Sequence, residues 1–417
     1  MSEKLDNFMY KFIVDICNEI GPRASASEEE HKAGDKIEVT LKEFCDEAHQ
    51  EEFLCSPKAG LHFIRYGSIM IICSIILYWC SLLIDLGIIQ LNRSFSLIFL
   101  IIAVLLETFA MIYFIFEVMR MKEIVDFLFP KRKAKNIVGV LNPKEEVKHY
   151  VIFSAHHDSA YEYNLFYYLK WFGAAAIFIG FVGIILSFVY VWLKFIFFFL
   201  PIDITIWFIR FGITMLIFSP IAVLFIFFIS KNAVLGAYDN LSGVAILLGI
   251  AKILSDNRNN DEIYPKNTQV KLISFACEEA GLRGSKRYVK AHLDELQEIK
   301  PKVVNIDSIS TKDQIVIVPR EILVGSKHDK QISDRLYEIA KKLKIGVKFG
   351  PLPFGASDAT PFTKNDLTAT SIMSFDLPKL PPFYHTREDT PKVVDKEALG
   401  QVVEICVKYI KYLDNLN

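Results

Sequence analysis

Apolar positions along this chain come in two patterns. In four places they form long runs of more than twenty residues with few polar interruptions, and elsewhere they are short stretches spaced by polar residues. The first run covers residues 67–89, interrupted only by Asp85 near its end. After a short polar break, the second covers 95–118 and carries Glu107. The third covers 172–193 and the fourth 206–229, with Lys194 and Arg210 near the turn between them. Each is longer than the ~20 helical residues that cross a hydrocarbon core of roughly 30 Å. Buried core helices are the alternative, but four such runs paired by short connections predict two transmembrane hairpins. The chain returns to its starting side after each.

The rest reads as α/β. Residues 1–55 are polar and helix-like. Residues 136–141, 150–155, 270–276, 303–309, 314–318 and 368–375 read as strands. Residues 241–254, 284–292, 330–343 and 396–413 read as helices, the first opened by Asp-Asn in an N-cap arrangement. Buried strands alternating with helices predict a three-layer αβα sandwich around a mixed, mostly parallel sheet. The expected division is a discontinuous hydrolytic domain of residues 1–66, 120–171 and 231–417, with hairpins at 67–119 and 172–230.

Composition supports the membrane component. Hydrophobic residues make up 52% of 417, and the 34 Phe gather in a few stretches. A net charge of −1 gives no reason to expect a nucleic-acid partner. Seven cysteines, odd in number and without a Cys-x-x-Cys pair, point to a reducing compartment. The opening MSEKLDNFMYKF lacks the apolar core of a signal peptide, so export by a cleaved signal is not expected.

Candidate chemistry sits at strand ends, where open α/β sheets place their sites. In Ser154-Ala-His-His-Asp-Ser159, His156 and Asp158 fall on one side of an extended strand, and His157 points elsewhere. A carboxylate beside an imidazole orients it as a metal ligand, although a structural pair uses the same pattern. Asp239-Asn-Leu-Ser-Gly243 opens an apolar helix, where simple capping is the alternative. Glu278 and Glu279 follow a buried strand directly, an unfavourable place for two carboxylates without a positive partner. Asp307 lies within an apolar strand, and His385 in a loop after prolines. Together these groups supply nitrogen and oxygen ligands for two zinc-type cations, with one carboxylate left as a base.

This ordered set resembles the di-zinc aminopeptidase family, which includes leucyl aminopeptidases, aminopeptidase Y and glutamate carboxypeptidase. The resemblance extends to Gly21-Pro-Arg, Gly281-Leu-Arg-Gly-Ser285 and Gly355-Ala-Ser-Asp-Ala-Thr-Pro-Phe362. It implies two Zn2+ per chain, with His156, Asp239, Glu279, Asp307 and His385 as ligands and Asp239 bridging. It also implies Glu278 as general base, Asp158 as the residue that orients His156, and a peptide substrate with a free N-terminus. Two departures are Ala359, where the family often has His, and Ser-Ile-Ser after Asp307. A glutaminyl-cyclase-like transferase and a non-catalytic receptor-like relative are the alternatives the same scaffold allows.

Nine residues separate Ile229 from Asp239, a span of at most about 33 Å, so the expected metal site lies near the bilayer surface. Basic residues flanking the runs are Lys58, Arg65, Arg120, Lys122, the Lys131–Lys135 cluster, Lys170 and Lys231 on one side. Arg93, Lys194 and Arg210 are on the other. The excess predicts that the hydrolytic domain faces the cytosol. Asp85, Lys194 and Arg210 are expected to pair. Glu107 is a candidate functional acid, or a protonated partner in an interhelical hydrogen bond.

Overall fold

The computed structural model describes residues 3–375 and 381–416. It divides into two compact units, one of residues 1–57, 130–162 and 231–417, the other of 58–129 and 163–230.

The first unit opens with helices α1 (Glu3–Glu19) and α2 (Glu28–Phe44). Ser27 caps α2 by accepting from the Glu30 N–H at 3.1 Å, ahead of three acidic residues suited to a helix N-terminus. Next come strands β1 (Glu47–Cys55), β2 (Arg132–Leu141) and β3 (His149–His156). They are followed by α3 (Ser242–Asp256), β4 (Thr268–Phe275), α4 (Arg283–Ala291), β5 (Lys302–Asp307) and β6 (Ile315–Val318). The unit closes with α5 (Lys330–Lys342), β7 (Val347–Phe349), β8 (Ala369–Ser374) and α6 (Lys396–Asp414).

These strands form one eight-stranded sheet in the order β1-β2-β4-β3-β5-β8-β6-β7. The pairs β3/β4, β3/β5, β5/β8 and β6/β7 are parallel, and β1/β2, β2/β4 and β6/β8 antiparallel. Alternation along each strand sends side chains to two cores. Val151, Phe153 and Ala155 of β3 meet α1, α2, α3, α5 and α6 on one face. Ile152 of β3 and Phe275 of β4 meet Tyr288 of α4 and Phe362 on the other. The three-layer expectation therefore holds within this unit.

One reading needs correction. Residues 47–55, expected to continue the polar helical segment, form edge strand β1, with Glu47 opposite Val140 and Cys55 opposite Arg132. Its sequence EAHQEEFLC is charged because most of its side chains stay partly or fully exposed.

The second unit holds the helices Ile64–Asp85, Arg93–Tyr113, Trp171–Phe197 and Thr205–Ile226, the second extended by a wider-turned segment Phe114–Met119. Within their apolar windows only 50%, 33%, 28% and 11% of residues are buried, and Leu105, Phe178 and Ile217 stand fully outward. A fifth helix, Ala237–Asp256, meets the same criteria of length and hydropathy, yet 89% of its window is buried. It contains α3 and is the core helix of the first unit, so length and hydropathy alone do not separate the two kinds.

Several polar groups inside the second unit are paired. Lys194 Nζ donates to Asp85 at 2.6 Å and to Ser81 Oγ at 2.7 Å, and Ser96 Oγ donates to the other Asp85 oxygen at 2.7 Å. Arg210 instead stacks over Trp207, 4.9 Å from its ring centre, so only two of the three expected partners pair with each other. Glu107 accepts from Ser187 Oγ at 2.6 Å, an interhelical hydrogen bond of the expected kind.

Candidate metal centre

Strands β4, β3 and β5 are adjacent and parallel, so their C-terminal ends share one edge of the sheet. His156 is the last residue of β3, Asp307 the last of β5, and Glu278 and Glu279 follow just after β4. The topology thus gathers residues distant in sequence.

Asp239 lies between the two imidazoles. Its Oδ1 is 3.1 Å from His156 Nε2 and its Oδ2 is 3.0 Å from His385 Nε2. On the His156 side lie Asp307 Oδ1 at 3.6 Å and Glu278 Oε2 at 3.9 Å. On the His385 side lies Glu279 Oε1 at 3.3 Å. Two triads, His156–Glu278–Asp307 and His156–Asp239–Glu279, each bring their ligand atoms within 4.8 Å of one another. The five predicted ligands and the predicted base Glu278 therefore converge. His157 does not join them, its Nδ1 pairing with Ser274 Oγ at 2.9 Å.

Capping does not account for Asp239. Asn240 performs that task, accepting from the Gly243 N–H at 2.9 Å and the Ser308 N–H at 3.1 Å while donating to the Ile306 carbonyl at 2.9 Å. The Asp239–Asn240 peptide bond is cis. Asp239 itself faces the imidazoles.

Asp158 does more than orient one ring. Its Oδ1 lies 3.4 Å from His156 Nδ1 and accepts from the Glu278 N–H at 3.0 Å. Its Oδ2 accepts from the Glu279 N–H at 3.1 Å and from Ser25 Oγ at 2.6 Å. One buried carboxylate thus aligns a candidate ligand and fixes the backbone of the glutamate pair. The unusual Ser308 also has a use, donating to Asp307 at 2.9 Å.

Sequence reasoning assigned no role to three supports. Asp389 accepts from the backbone N–H groups of Tyr238 (2.7 Å) and Asp239 (3.1 Å), holding the segment that presents the bridging carboxylate. Its place four residues after His385, in Tyr384-His-Thr-Arg-Glu-Asp-Thr390, was the available signal. Glu162 grips Arg387 through Nε and Nη2, each at 2.7 Å, beside His385. Arg23 lies fully buried and donates to the carbonyls of His157 (2.8 Å), Leu235 (2.8 Å) and Gly236 (3.2 Å), joining the loops that carry His156 and Asp239.

Electrostatics in this centre are strongly perturbed. Burial alone would lower the His156 imidazole, but Glu278, Asp158, Asp239 and Asp307 hold it well above its usual range. Burial likewise opposes charge on His385, and Glu279 and Asp239 raise it to about 10. Burial lifts Glu278, Glu279 and Asp307 above the ordinary carboxylate range, each helped by neighbouring carboxylates. Asp239 behaves oppositely, since its two imidazole partners overcome burial and hold it well below. Asp358 is raised to about 7 by burial. Four carboxyl groups against two imidazoles make this buried cluster rich in acidic groups, and hard oxygen with borderline nitrogen donors suits zinc-class cations. The residues fit the group.

Comparison with known proteins agrees. Residues 221–410 match peptidase family M28. Aminopeptidase YwaD of Bacillus subtilis is 29% identical over 177 residues, 41% of this chain and 36% of that protein, so the chain matches only about a third of that relative's length. A Bacillus subtilis zinc aminopeptidase structure superposes with TM-score 0.54 at 15% identity, covering 98% of this chain and 95% of that one. An Acidobacteriales bacterium glutaminyl cyclase superposes with TM-score 0.55 at 13% identity, covering 99% and 96%. At such identities the structures speak for fold alone. Residues 221–410 thus resemble peptidase family M28, and the chain shares the fold of these solved structures.

Proposed function

We propose that this protein is a membrane-integrated, zinc-dependent aminopeptidase that hydrolyses the first peptide bond of substrates with a free N-terminus. The observation that carries the reading is Asp239, whose two oxygens face different imidazoles at nearly equal distances. His156, Asp239 and Asp307 would hold one cation, and His385, Asp239 and Glu279 the other. When bound, two divalent cations polarise a scissile carbonyl and acidify water in a way that no side chain here can. Glu278 supplies the proton transfer, taking a proton from the attacking water and giving it to the leaving amine nitrogen. Its backbone is anchored by Asp158, so the carboxylate is held in place before substrate arrives.

The four outward-apolar helices are the proposed membrane spans, and the basic residues flanking them favour a cytosolic hydrolytic unit. Protease access to a C-terminal tag in sealed cells tests the orientation, and digestion from outside would reverse it.

Activity is tested with free and N-acetylated forms of the same peptides, assayed on purified full-length protein. Hydrolysis of the free forms alone supports the reading. Cyclisation of an N-terminal glutamine without hydrolysis would replace it with the cyclase reading that the second fold likeness raises. Hydrolysis from the C-terminus would reverse the direction of attack.

A further inference from the structure

Cys277 directly precedes Glu278, and its Sγ lies 3.6 Å from Sγ of Cys55, the last residue of β1. The fold thus brings two free thiols, far apart in sequence, together beside the proposed general base. Both are buried, at 1% and 0% exposure, among Ala26, Ala134, Ala276, Ala280 and Phe53, with the Glu30 carboxylate 3.6 Å from Cys277 Sγ. A disulfide needs the sulfurs at about 2.05 Å, roughly 1.5 Å closer than they stand. Most of the side chains packed around the pair are alanines, the smallest that a shift of this size would displace.

We propose that Cys55 and Cys277 are a site of reversible disulfide formation by peroxide-class oxidants, and that closing the bond disables the neighbouring centre. The functional half rests on the hydrolase reading above. One thiol attacks a peroxide oxygen, an S–O bond forms as the O–O bond breaks, and the thiol proton leaves with the released oxygen as water. The second thiol attacks that sulfenic sulfur, and the hydroxyl departs with the second thiol's proton as another water. Two thiols and one hydrogen peroxide give one disulfide and two waters. A small-molecule dithiol reverses the bond by exchange.

The effect reaches Glu278 because the segment has little slack. The Cys277 N–H donates to Glu30 at 2.9 Å, and the next two N–H groups donate to Asp158. Cys277 also sits at φ 55°, in the left-handed region that few non-glycine residues adopt. Drawing its sulfur toward β1 strains this chain of contacts and moves the carboxylate one residue away. A displacement of about 1 Å at a catalytic group can lower turnover about 10²-fold.

The test uses full-length, zinc-loaded protein, first reduced with dithiothreitol and then exposed to hydrogen peroxide. Non-reducing peptide mapping is expected to find a Cys55–Cys277 cross-link, with peptide hydrolysis down about 10²-fold, metal content unchanged, and both effects reversed by dithiothreitol. Cys55→Ser is expected to keep reduced-state turnover and to lose the peroxide response, with Cys55→Ala as the second variant should serine disturb the apolar pocket. Absence of the cross-link overturns the proposal, as does a cross-link that leaves turnover unchanged or a Cys55→Ser protein as peroxide-sensitive as the wild type. If the reduced protein hydrolyses no peptide, the hydrolase reading fails instead, and the peptide map still decides whether the bond forms.

Discussion

Both units bury charge, on different terms. In the helical unit Lys194, 1% exposed, is neutralised by Asp85 at 2.6 Å, and Ser81 and Ser96 complete the network. One positive group meets one negative group, and hydroxyls occupy the neighbouring positions. In the α/β unit Asp239, Glu278, Glu279 and Asp307 surround only His156 and His385. That cluster is acid-rich, and burial with mutual repulsion lifts Glu278 and Glu279 above the ordinary carboxylate range. A balanced buried network is a structural device, whereas an unbalanced one is kept for something that completes it.

Substitutions should therefore act oppositely in the two places. The largest effect is expected from Glu278→Gln, which should reduce turnover about 10²–10⁴-fold while the fold and metal content persist. By removing repulsion it should also leave the metal-free protein at least as heat-stable as the wild type. Equal metal loss in Glu278→Gln and Glu279→Gln would show that the two glutamates share one role.

In the balanced network the penalty should fall on folding. Lys194→Met leaves Asp85 partly buried without its cation, and a destabilisation of about 3 kcal/mol is expected, the low end of the range because Asp85 keeps some exposure. Adding Asp85→Leu should recover most of it in thermal unfolding of the detergent-solubilised protein. A double variant less stable than the single would mean that the pair does more than neutralise itself.

Asp158→Asn should weaken metal affinity about 10–100-fold, because the carboxylate aligns His156 and the glutamate backbone together. Titration with a competing chelator reads this directly, and an unchanged affinity would reduce Asp158 to a structural group.

The smallest and most graded effect is that of pH. His156, His385, Glu278, Glu279 and Asp307 all have raised values, so the metal-free fold binds more protons than the unfolded chain. Stability from the two histidines is complete below about 6.5 and is lost as pH rises toward about 10, the His385 value. The raised carboxylates act in the same direction. Metal affinity should run the other way, rising about tenfold per pH unit for each proton displaced. Melting temperatures of the metal-free protein that climb between neutral and alkaline pH would contradict this.

Much of the site was legible because its donors are of rare types in unfavourable places. Paired glutamates after an apolar strand and an aspartate inside one have few other uses. The apolar runs were legible through length. For Asp239 only the family resemblance implied a bridging role, since capping uses the same residue at the same position, and Asn240's three hydrogen bonds settle which side chain caps. Strand β1 escaped because an exposed edge strand needs few apolar residues, and EAHQEEFLC offers a weak alternation. Asp389 and Glu162 escaped because their partners are backbone N–H groups and an arginine brought near only by the fold.

The central claim is that the acid-rich cluster is a two-cation site bridged by Asp239. Elemental analysis of purified full-length protein, compared with Asp239→Asn, tests it most directly. The account predicts about two zinc-class ions per wild-type chain, a loss of more than one in the variant, and activity that chelation removes and zinc restores. A wild-type protein that stays fully active without metal would contradict it.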